Sequence, residues 1–159
     1  MSNLVIRKNL YPCPISFRNL TVSKDSEGTG LDIEDGVATI TPGSASAPYA
    51  YFIMTGLTPG ARMTFHCTLE YLGDWADSEP AVLFFRSDWG TFHVEWTKGD
   101  GTNVTAQFTV PQDGYLYFRF RARGDGLKVS GINIESTDTF DESLPFFYYG
   151  TMPDPRSAS

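Results

Sequence analysis

The sequence predicts an all-β protein, an antiparallel β-sandwich of the jelly-roll kind, and three observations lead to this prediction. Apolar and polar side chains alternate with a period of two along four long stretches. Turn residues, chiefly Gly, Pro and Asp, separate the apolar stretches at intervals of roughly 10 to 15 residues. No stretch shows the repeat of about 3.6 residues that marks an amphipathic helix.

The four alternating stretches lie at 61–71, 92–96, 104–110 and 114–122. In the last of them, Leu116, Phe118 and Phe120 share one face. The opposite face carries Tyr115, Tyr117, Arg119 and Arg121. One apolar and one polar face per strand is typical of antiparallel sheets that are covered on one side.

Shorter apolar runs predict further strands, at 4–8, 19–23, 37–41, 49–55, 81–87 and 127–135. Gly131 interrupts the last run and predicts a β-bulge. Glu34, Asp35 and Gly36 lie between two short strands and predict a hairpin turn.

The chain divides into two parts at about residue 137. We expect residues 1–137 to form one jelly-roll domain, because a chain of this length buries a single core. Residues 138–159 are predicted to be a C-terminal extension, with an aromatic segment followed by a mobile polar tail.

Charge and hydropathy exclude several partners. The formal net charge is −7, and the 12 basic residues form no cluster, so we expect no nucleic-acid binding. No apolar run reaches the roughly 20 residues of a membrane span. The first residues lack the apolar core of a signal peptide, so we expect no secretion signal.

No pattern of catalytic residues is present, and we expect the protein not to be an enzyme. His66 and His93 each lie on the polar side of a predicted strand, without a nucleophile, metalloprotease or phosphate-binding motif. Cys67 falls within an apolar alternation, which predicts a buried free thiol, whereas Cys13 lies between prolines. We expect no cofactor.

Two tryptophans beside acidic residues form a candidate glycan site. Sugar sites stack a pyranose on an aromatic face and fix its hydroxyls with polar groups. The candidate residues are Asp74, Trp75 and Asp77 in one turn and Arg86, Asp88 and Trp89 in the next. In the alternative interpretation, both Trp rings cover the open end of the sandwich core. Trp96 alternates with apolar residues and is predicted to lie in the core.

Two further groups are candidate sites. An assembly interface is predicted at the aromatic segment and at the polar face of 114–122, since Tyr and Arg are enriched in interfaces. Its residues are Phe146, Phe147, Tyr148, Tyr149, Tyr115, Tyr117, Arg119 and Arg121. For the polar face of 114–122, the alternative is a face in contact with solvent.

Acidic residues cluster at Asp32, Glu34 and Asp35. A structural calcium ion at this cluster is the alternative to a chain without metal.

Six short segments occur in a recognisable order. They are Asn3 to Leu4, Arg18 to Leu20, Gly56 to Gly60 (GLTPG), Val110 to Tyr117 (VPQDGYLY), Val129 to Glu135 (VSGINIE) and Phe147 to Asp154 (FYYGTMPD). In this order they resemble the carbohydrate-binding-module-like jelly rolls in virion proteins of phages that infect Gram-positive, especially actinobacterial, hosts. The last segment departs from that pattern, because Tyr149 stands where the family has an acidic residue before Gly150.

The resemblance implies a virion structural protein of the minor-tail or capsid-decoration kind. Such a protein is made in the host cytoplasm and assembles with other virion proteins, here as an expected homo-oligomer. The alternative is a glycan-binding module that attaches the particle to host cell-wall or surface polysaccharide. Exposed rings at Trp75 and Trp89 would favour glycan binding, and buried rings would favour assembly.

Overall fold

The computed structural model describes residues 6–11, 17, 19–22, 28–43, 48–85, 91–138, 140 and 150–153. In chain order its strands are β1 (Ile6–Asn9), β2 (Thr21–Val22), β3 (Gly30–Glu34), β4 (Val37–Thr41), β5 (Tyr49–Met54), β6 (Arg62–Leu72), β7 (Pro80–Phe85), β8 (Thr91–Thr97), β9 (Asn103–Thr109), β10 (Leu116–Arg121), β11 (Gly126–Ser136) and β12 (Gly150–Pro153). A single 3-10 turn, Lys98–Asp100, follows β8. The described residues contain no helix long and apolar enough to cross a membrane.

Two five-stranded antiparallel sheets make up the sandwich, which confirms the predicted fold class. The first sheet has the order β2-β5-β10-β7-β8, and the second has the order β3-β4-β11-β6-β9. Most connections cross from one sheet to the other, as in a jelly roll. The alternating stretches predict the strands to within a few residues, and β4 has the predicted bounds.

Phenylalanine rings from both sheets fill the core. Phe118 of β10 stacks on Phe52 of β5 at 4.7 Å between centroids and meets Phe84 of β7 edge-on at 4.6 Å. Phe65 of the second sheet stacks on the ring of Phe118 at 5.4 Å between centroids. All four rings are fully buried, as the period-two alternation of these strands requires.

Glycines with positive φ lie in the bulge of β11 and in the turn before β10. Gly131 has φ +65°, and the register of β11 on β6 shifts between Ser130 and Asn133, so the predicted bulge is confirmed. Gly114, at φ +67°, precedes β10 and accepts a hydrogen bond from the amide of Leu57 at 3.1 Å. A Cβ at this position would lie 2.5 Å from the Leu57 carbonyl oxygen, so only glycine fits.

The strands nearest the two ends of the described chain pair with each other. β1 and β12 form a separate antiparallel ribbon, with Ile6 opposite Pro153. Part of the predicted C-terminal extension is therefore a strand. The amide of Leu10, which follows β1, donates to the Ile134 carbonyl of β11 at 2.8 Å.

One end of the second sheet is covered on its outer face, which the alternation did not predict. Thr64 alternates with the apolar Met63 and Phe65 of β6, yet it is fully buried, and its hydroxyl pairs with that of Thr137 at 2.9 Å. Beside it on β11, the Asn133 amide donates to the buried Glu135 carboxylate at 2.9 Å. At this end of the sheet β1 contacts β11, and Thr137, which follows β11, donates its amide to the Arg62 carbonyl at 3.1 Å.

Candidate functional site

Trp75 is part of the core and not an open platform. Its ring is 7% exposed and meets Tyr71 edge-on at 5.0 Å between centroids. Its Nε1 donates to the carbonyls of Leu72, at 3.1 Å, and Gly126, at 3.2 Å. A ring held in this way has no free face for a sugar. Of the two interpretations of Trp75, its position fits the one in which the ring covers the end of the core.

The other residues of the predicted glycan site divide into two groups. Asp74 and Asp77 are exposed, and the carboxylate of Asp77 lies 3.5 Å from Nζ of Lys98. Arg86, Asp88 and Trp89 lie outside the described residues, so their part of the hypothesis stays a prediction. Trp96 packs against the core, as predicted, with Nε1 donating to the Gly101 carbonyl at 3.0 Å.

An aromatic surface lies on the outer face of the first sheet. We call it the Tyr–Arg face. It consists of the outward side chains of β5, β7 and β10, namely Tyr49, Tyr51, Ile53, Leu83, Phe85, Tyr117, Arg119 and Arg121. The pairing of β10 with both neighbours places Arg119 between Tyr51 and Leu83, and Tyr117 between Ile53 and Phe85. Three of the predicted interface residues therefore lie together on one face.

The guanidinium of Arg119 lies at the centre of this face, inside a cage of aromatic rings. Its Cζ is 3.8 Å from the centroid of Tyr49, 4.5 Å from that of Phe85 and 5.5 Å from that of Tyr117. Cation–π attraction stabilises a charge in this position. Within the part of the chain that the structure describes, no group accepts a hydrogen bond from its buried Nε.

The tyrosine rings of the face engage one another. Tyr51 and Tyr117 stack with centroids 4.7 Å apart and planes 15° apart. Phe85 meets Tyr117 edge-on at 6.1 Å. The stack therefore covers one face of Tyr51 and one face of Tyr117, and the guanidinium of Arg119 lies over one face of Tyr49.

The structure resembles two solved proteins at low identity. No protein-family model matches the chain, and no curated protein matches it. The enzymatically active domain of tailspike protein 4 from bacteriophage CBA120 is 12% identical, with a TM-score of 0.47 over 74% of this chain, which spans 19% of that one. A family 29 carbohydrate-binding module, in a mutant form made to probe ligand recognition, is 17% identical. Its TM-score is 0.47, over 90% of this chain and 100% of that one.

Arginine and glutamate side chains lie close together at one end of the Tyr–Arg face. Burial lowers the pKa of Arg121, and the nearby charges of Arg123 and Arg119 lower it further, against the opposing effect of Glu79 and Glu95. The Nε of Arg123 lies 3.2 Å from the Glu79 carboxylate. Neither Arg119 nor Arg121 forms an ion pair within the described residues.

Tyr117 is held protonated at the base of the face. Burial is the main cause that raises the pKa of its hydroxyl, and a hydrogen bond with Tyr49 adds to the effect. Arg119 acts in the opposite direction. Tyr117 is 3% exposed, so its ring and hydroxyl support the face from beneath.

The remaining predicted interface residues lie either in the turn before β10 or outside the described residues. Tyr115 precedes β10 in the turn where its amide donates to the Asp113 carboxylate at 3.1 Å, and it is half-buried. Phe146, Phe147, Tyr148 and Tyr149 lie outside the described residues, so their interface role stays a prediction.

A groove of about 780 Å³ lies on the outer face of the second sheet. Its lining is polar and charged, and includes Asp32, Glu34, Asp35, Glu70, Lys98 and Lys128. The three acidic residues of the calcium hypothesis thus lie along one wall. Among the described residues, however, no three His, Cys, Asp or Glu side chains converge closely enough to hold a metal ion.

Five of the eight residues of the Tyr–Arg face were not identified from the sequence. Tyr49, Tyr51 and Phe85 belong to predicted strands, but their alternation alone does not show which strand lies beside 114–122. The available signal was the tyrosine at every outward position of 49–51, which parallels Tyr115 and Tyr117. Tyr49 and Tyr51 lie beside Tyr117 and Arg119 only because β5 is a neighbour of β10 in the sheet.

Proposed function

We propose that the protein is a non-enzymatic structural component of a phage virion, of the minor-tail or capsid-decoration kind, that attaches to a neighbouring protein through the Tyr–Arg face. The observation that carries the attachment is the cage of Tyr49, Phe85 and Tyr117 around Arg119. Within the described residues this half-buried guanidinium forms no ion pair, so it can accept an anionic group from a partner.

Physical chemistry favours a protein as the occupant of this face. Tyr and Arg dominate the residues whose removal costs most binding energy in protein interfaces. The stacked Tyr51 and Tyr117 are already ordered in the free chain, so little side-chain entropy is lost on docking. The adjacent Ile53 is 40% exposed and adds an apolar contact.

The virion assignment rests on the sequence. The ordered segments from Asn3 to Asp154 resemble those of phage jelly-roll virion proteins. Other virion proteins are then the partners.

Chemical footprinting of intact particles tests this function. Particles of the phage that encodes the chain are purified, the chain is detected by mass spectrometry, and particle-bound and free protein are oxidised with hydroxyl radicals. We expect Tyr51, Phe85 and Ile53 to be protected in the particle, while the exposed side chain of Ile33 and the half-exposed Tyr71 serve as internal references. Absence of the chain from particles, or equal oxidation of the Tyr–Arg face in both states, would contradict the proposal.

The alternative function is a glycan-binding module for attachment to host cell-wall or surface polysaccharide. The observation that favours it is the polar groove on the second sheet, which is large enough for a short oligosaccharide. A glycan array read with wild type, Glu70→Gln and Arg119→Gln separates the sites. Binding lost only with Glu70→Gln would assign the groove to a sugar. Binding lost only with Arg119→Gln would move the sugar to the Tyr–Arg face and contradict a protein partner there.

A further inference from the structure

We infer that β9 is a self-association edge, at which two copies of this chain pair their β9 strands antiparallel and join their second sheets into one. β9 lies at the end of the second sheet and, within the described residues, pairs with β6 alone. The open side of such a strand is a template for a further strand. The inference concerns a different surface from the Tyr–Arg face, and it goes beyond the proposed function.

The hydrogen bonds next to β9 show which of its residues point to the open side. Just before β9, the Thr102 carbonyl accepts from the amide of Leu69 in β6 at 2.8 Å. In an antiparallel strand both backbone groups of a residue point to the same side, and the side alternates from one residue to the next. The even-numbered residues of β9 therefore face β6. The odd-numbered residues, from Asn103 to Thr109, direct their amides and carbonyls to the open side.

The other three edges of the two sheets are protected against pairing. β2 has only two residues, β3 carries the exposed Asp32 and Glu34, and the register of β8 on β7 shifts twice. Short strands, charges and bulges are the devices that prevent edge-to-edge pairing. β9, which the structure describes in full, has none of them. It is seven residues long, contains no charged residue and no proline, and keeps one register on β6 throughout.

The sequence of β9 is self-complementary when Ala106 lies on a two-fold axis between the copies. Asn103 then lies opposite Thr109 of the second copy, and Thr105 lies opposite Gln107 of the second copy. Each pair joins two residues whose backbone groups point to the open side, which is the condition for an exchange of two hydrogen bonds. Polar side chains meet polar side chains on the outer face, and the buried apolar residues of β9 meet each other on the inner face.

Arg62 of β6 adds a side-chain contact at this edge. Its guanidinium donates to the Thr109 hydroxyl at 3.3 Å and to the side-chain carbonyl of Gln107 at 3.1 Å, so it reaches across β9. In the proposed register, Asn103 of the second copy lies directly beyond Thr109, where its amide oxygen can accept from the same guanidinium. Two-fold symmetry repeats this contact on the other side of the axis.

Pairing at β9 gives a closed dimer and not a filament, because each copy has one β9 edge and uses it. Opposite residues of an antiparallel pair share a face, so the outer faces of the two second sheets lie on the same side of the joined sheet. The two first sheets then lie together on its other side. The two Tyr–Arg faces therefore point in the same direction, and a particle that binds this face would hold the dimer by two contacts at once.

Disulfide trapping tests the register. All copies carry Cys13→Ser, so that the buried Cys67 is the remaining native thiol. One copy carries Asn103→Cys, and another, lengthened by a tag, carries Thr109→Cys, both at exposed positions. Opposite residues have Cα atoms about 5.5 Å apart, within the span of a disulfide, so the oxidised mixture should give a cross-linked heterodimer. Each copy alone should give little, because the two equivalent positions lie about 20 Å apart in the dimer.

Sedimentation velocity with charged variants tests the association itself. One variant carries Asn103→Lys and Thr109→Lys, and another carries Asn103→Glu and Thr109→Glu, so each variant places like charges opposite one another in its own dimer. We expect wild type to form a dimer of twice the 17.6 kDa chain mass, and each variant to dimerise at least about 10-fold more weakly. An equimolar mixture of the two variants should dimerise again, because opposite charges then meet.

A matched control carries Thr41→Lys and Thr55→Lys, at exposed positions outside β9, and should dimerise as wild type does. Circular dichroism checks that each variant is folded. A wild type that stays monomeric while the mixed cysteine copies fail to cross-link would overturn the inference. Charged variants that dimerise as tightly as wild type would place the contact elsewhere. Single cysteine copies that cross-link as well as the mixture would exclude this register.

The test is separate from that of the proposed function. A monomeric chain would leave the footprint of the Tyr–Arg face on particles as it is, and the proposed function would stand. Equal oxidation of the Tyr–Arg face in free and particle-bound protein would remove the proposed function, and a dimer trapped between residues 103 and 109 would still assign β9 as the edge that a second copy binds.

Discussion

Replacement of Trp75 by alanine is expected to destabilise the sandwich and not to remove a sugar site. Truncation of a buried Trp to Ala costs about 3–5 kcal/mol in unfolding free energy. The value should lie in the upper part of this range, because the ring is 7% exposed and loses its edge contact with Tyr71. The two carbonyls that accept from Nε1, those of Leu72 and Gly126, also lose a donor.

A second substitution separates the ring from its hydrogen bonds. Trp75→Phe keeps much of the apolar volume but removes the N–H, and should cost about 1–3 kcal/mol, because two acceptors lose their shared partner. Urea unfolding followed by far-UV circular dichroism measures both variants against wild type. A loss below about 1 kcal/mol for Trp75→Ala would refute the assignment of this ring to the core.

Three other predictions follow from the described contacts. Gly114→Ala should lower the unfolding free energy by about 1–3 kcal/mol more than Gly60→Ala, since both have positive φ but only the first brings a Cβ to 2.5 Å from a carbonyl oxygen; equal thermal shifts would contradict this. Burial raises the pKa of Tyr71 to about 12 from 10.0, so stability should be full below pH 10 and fall as the pH rises towards 12. Tyr71→Phe should remove part of that fall, and an unchanged pH profile would count against it. Burial also raises the pKa of the Cys67 thiol, so iodoacetamide should label this residue only in denaturing urea, as read by peptide mass spectrometry.

Local alternation was enough to predict the long strands and their inward faces, but not β12. Leu116, Phe118 and Phe120 are all fully buried, as a period of two requires. Cys67 is a buried free thiol for the same reason. Gly131 lies in the bulge of β11, because only a residue tolerant of positive φ fits the extra position.

The site was only half predictable, because it depends on which strands are neighbours. Arg119 was assigned to an outward stripe from its own strand, but Tyr49 and Phe85 reach its guanidinium from strands distant in sequence. The role of Trp75 could not be predicted for a different reason. A Trp beside acidic residues in a turn is compatible with a surface platform and with a core cap, and only the carbonyls of Leu72 and Gly126 decide between them.

The β1–β12 ribbon has a mechanical consequence. Ile6 pairs with Pro153 and Asn9 with Gly150, so the chain enters β1 and leaves β12 at the same end of the ribbon. A pulling force applied at both ends of the chain would break the hydrogen bonds of this ribbon one after another and would not load all of them at once. Only after this opening would tension reach the sheets of the sandwich. The ribbon would therefore separate at low force, while the folded core and the Tyr–Arg face stay intact.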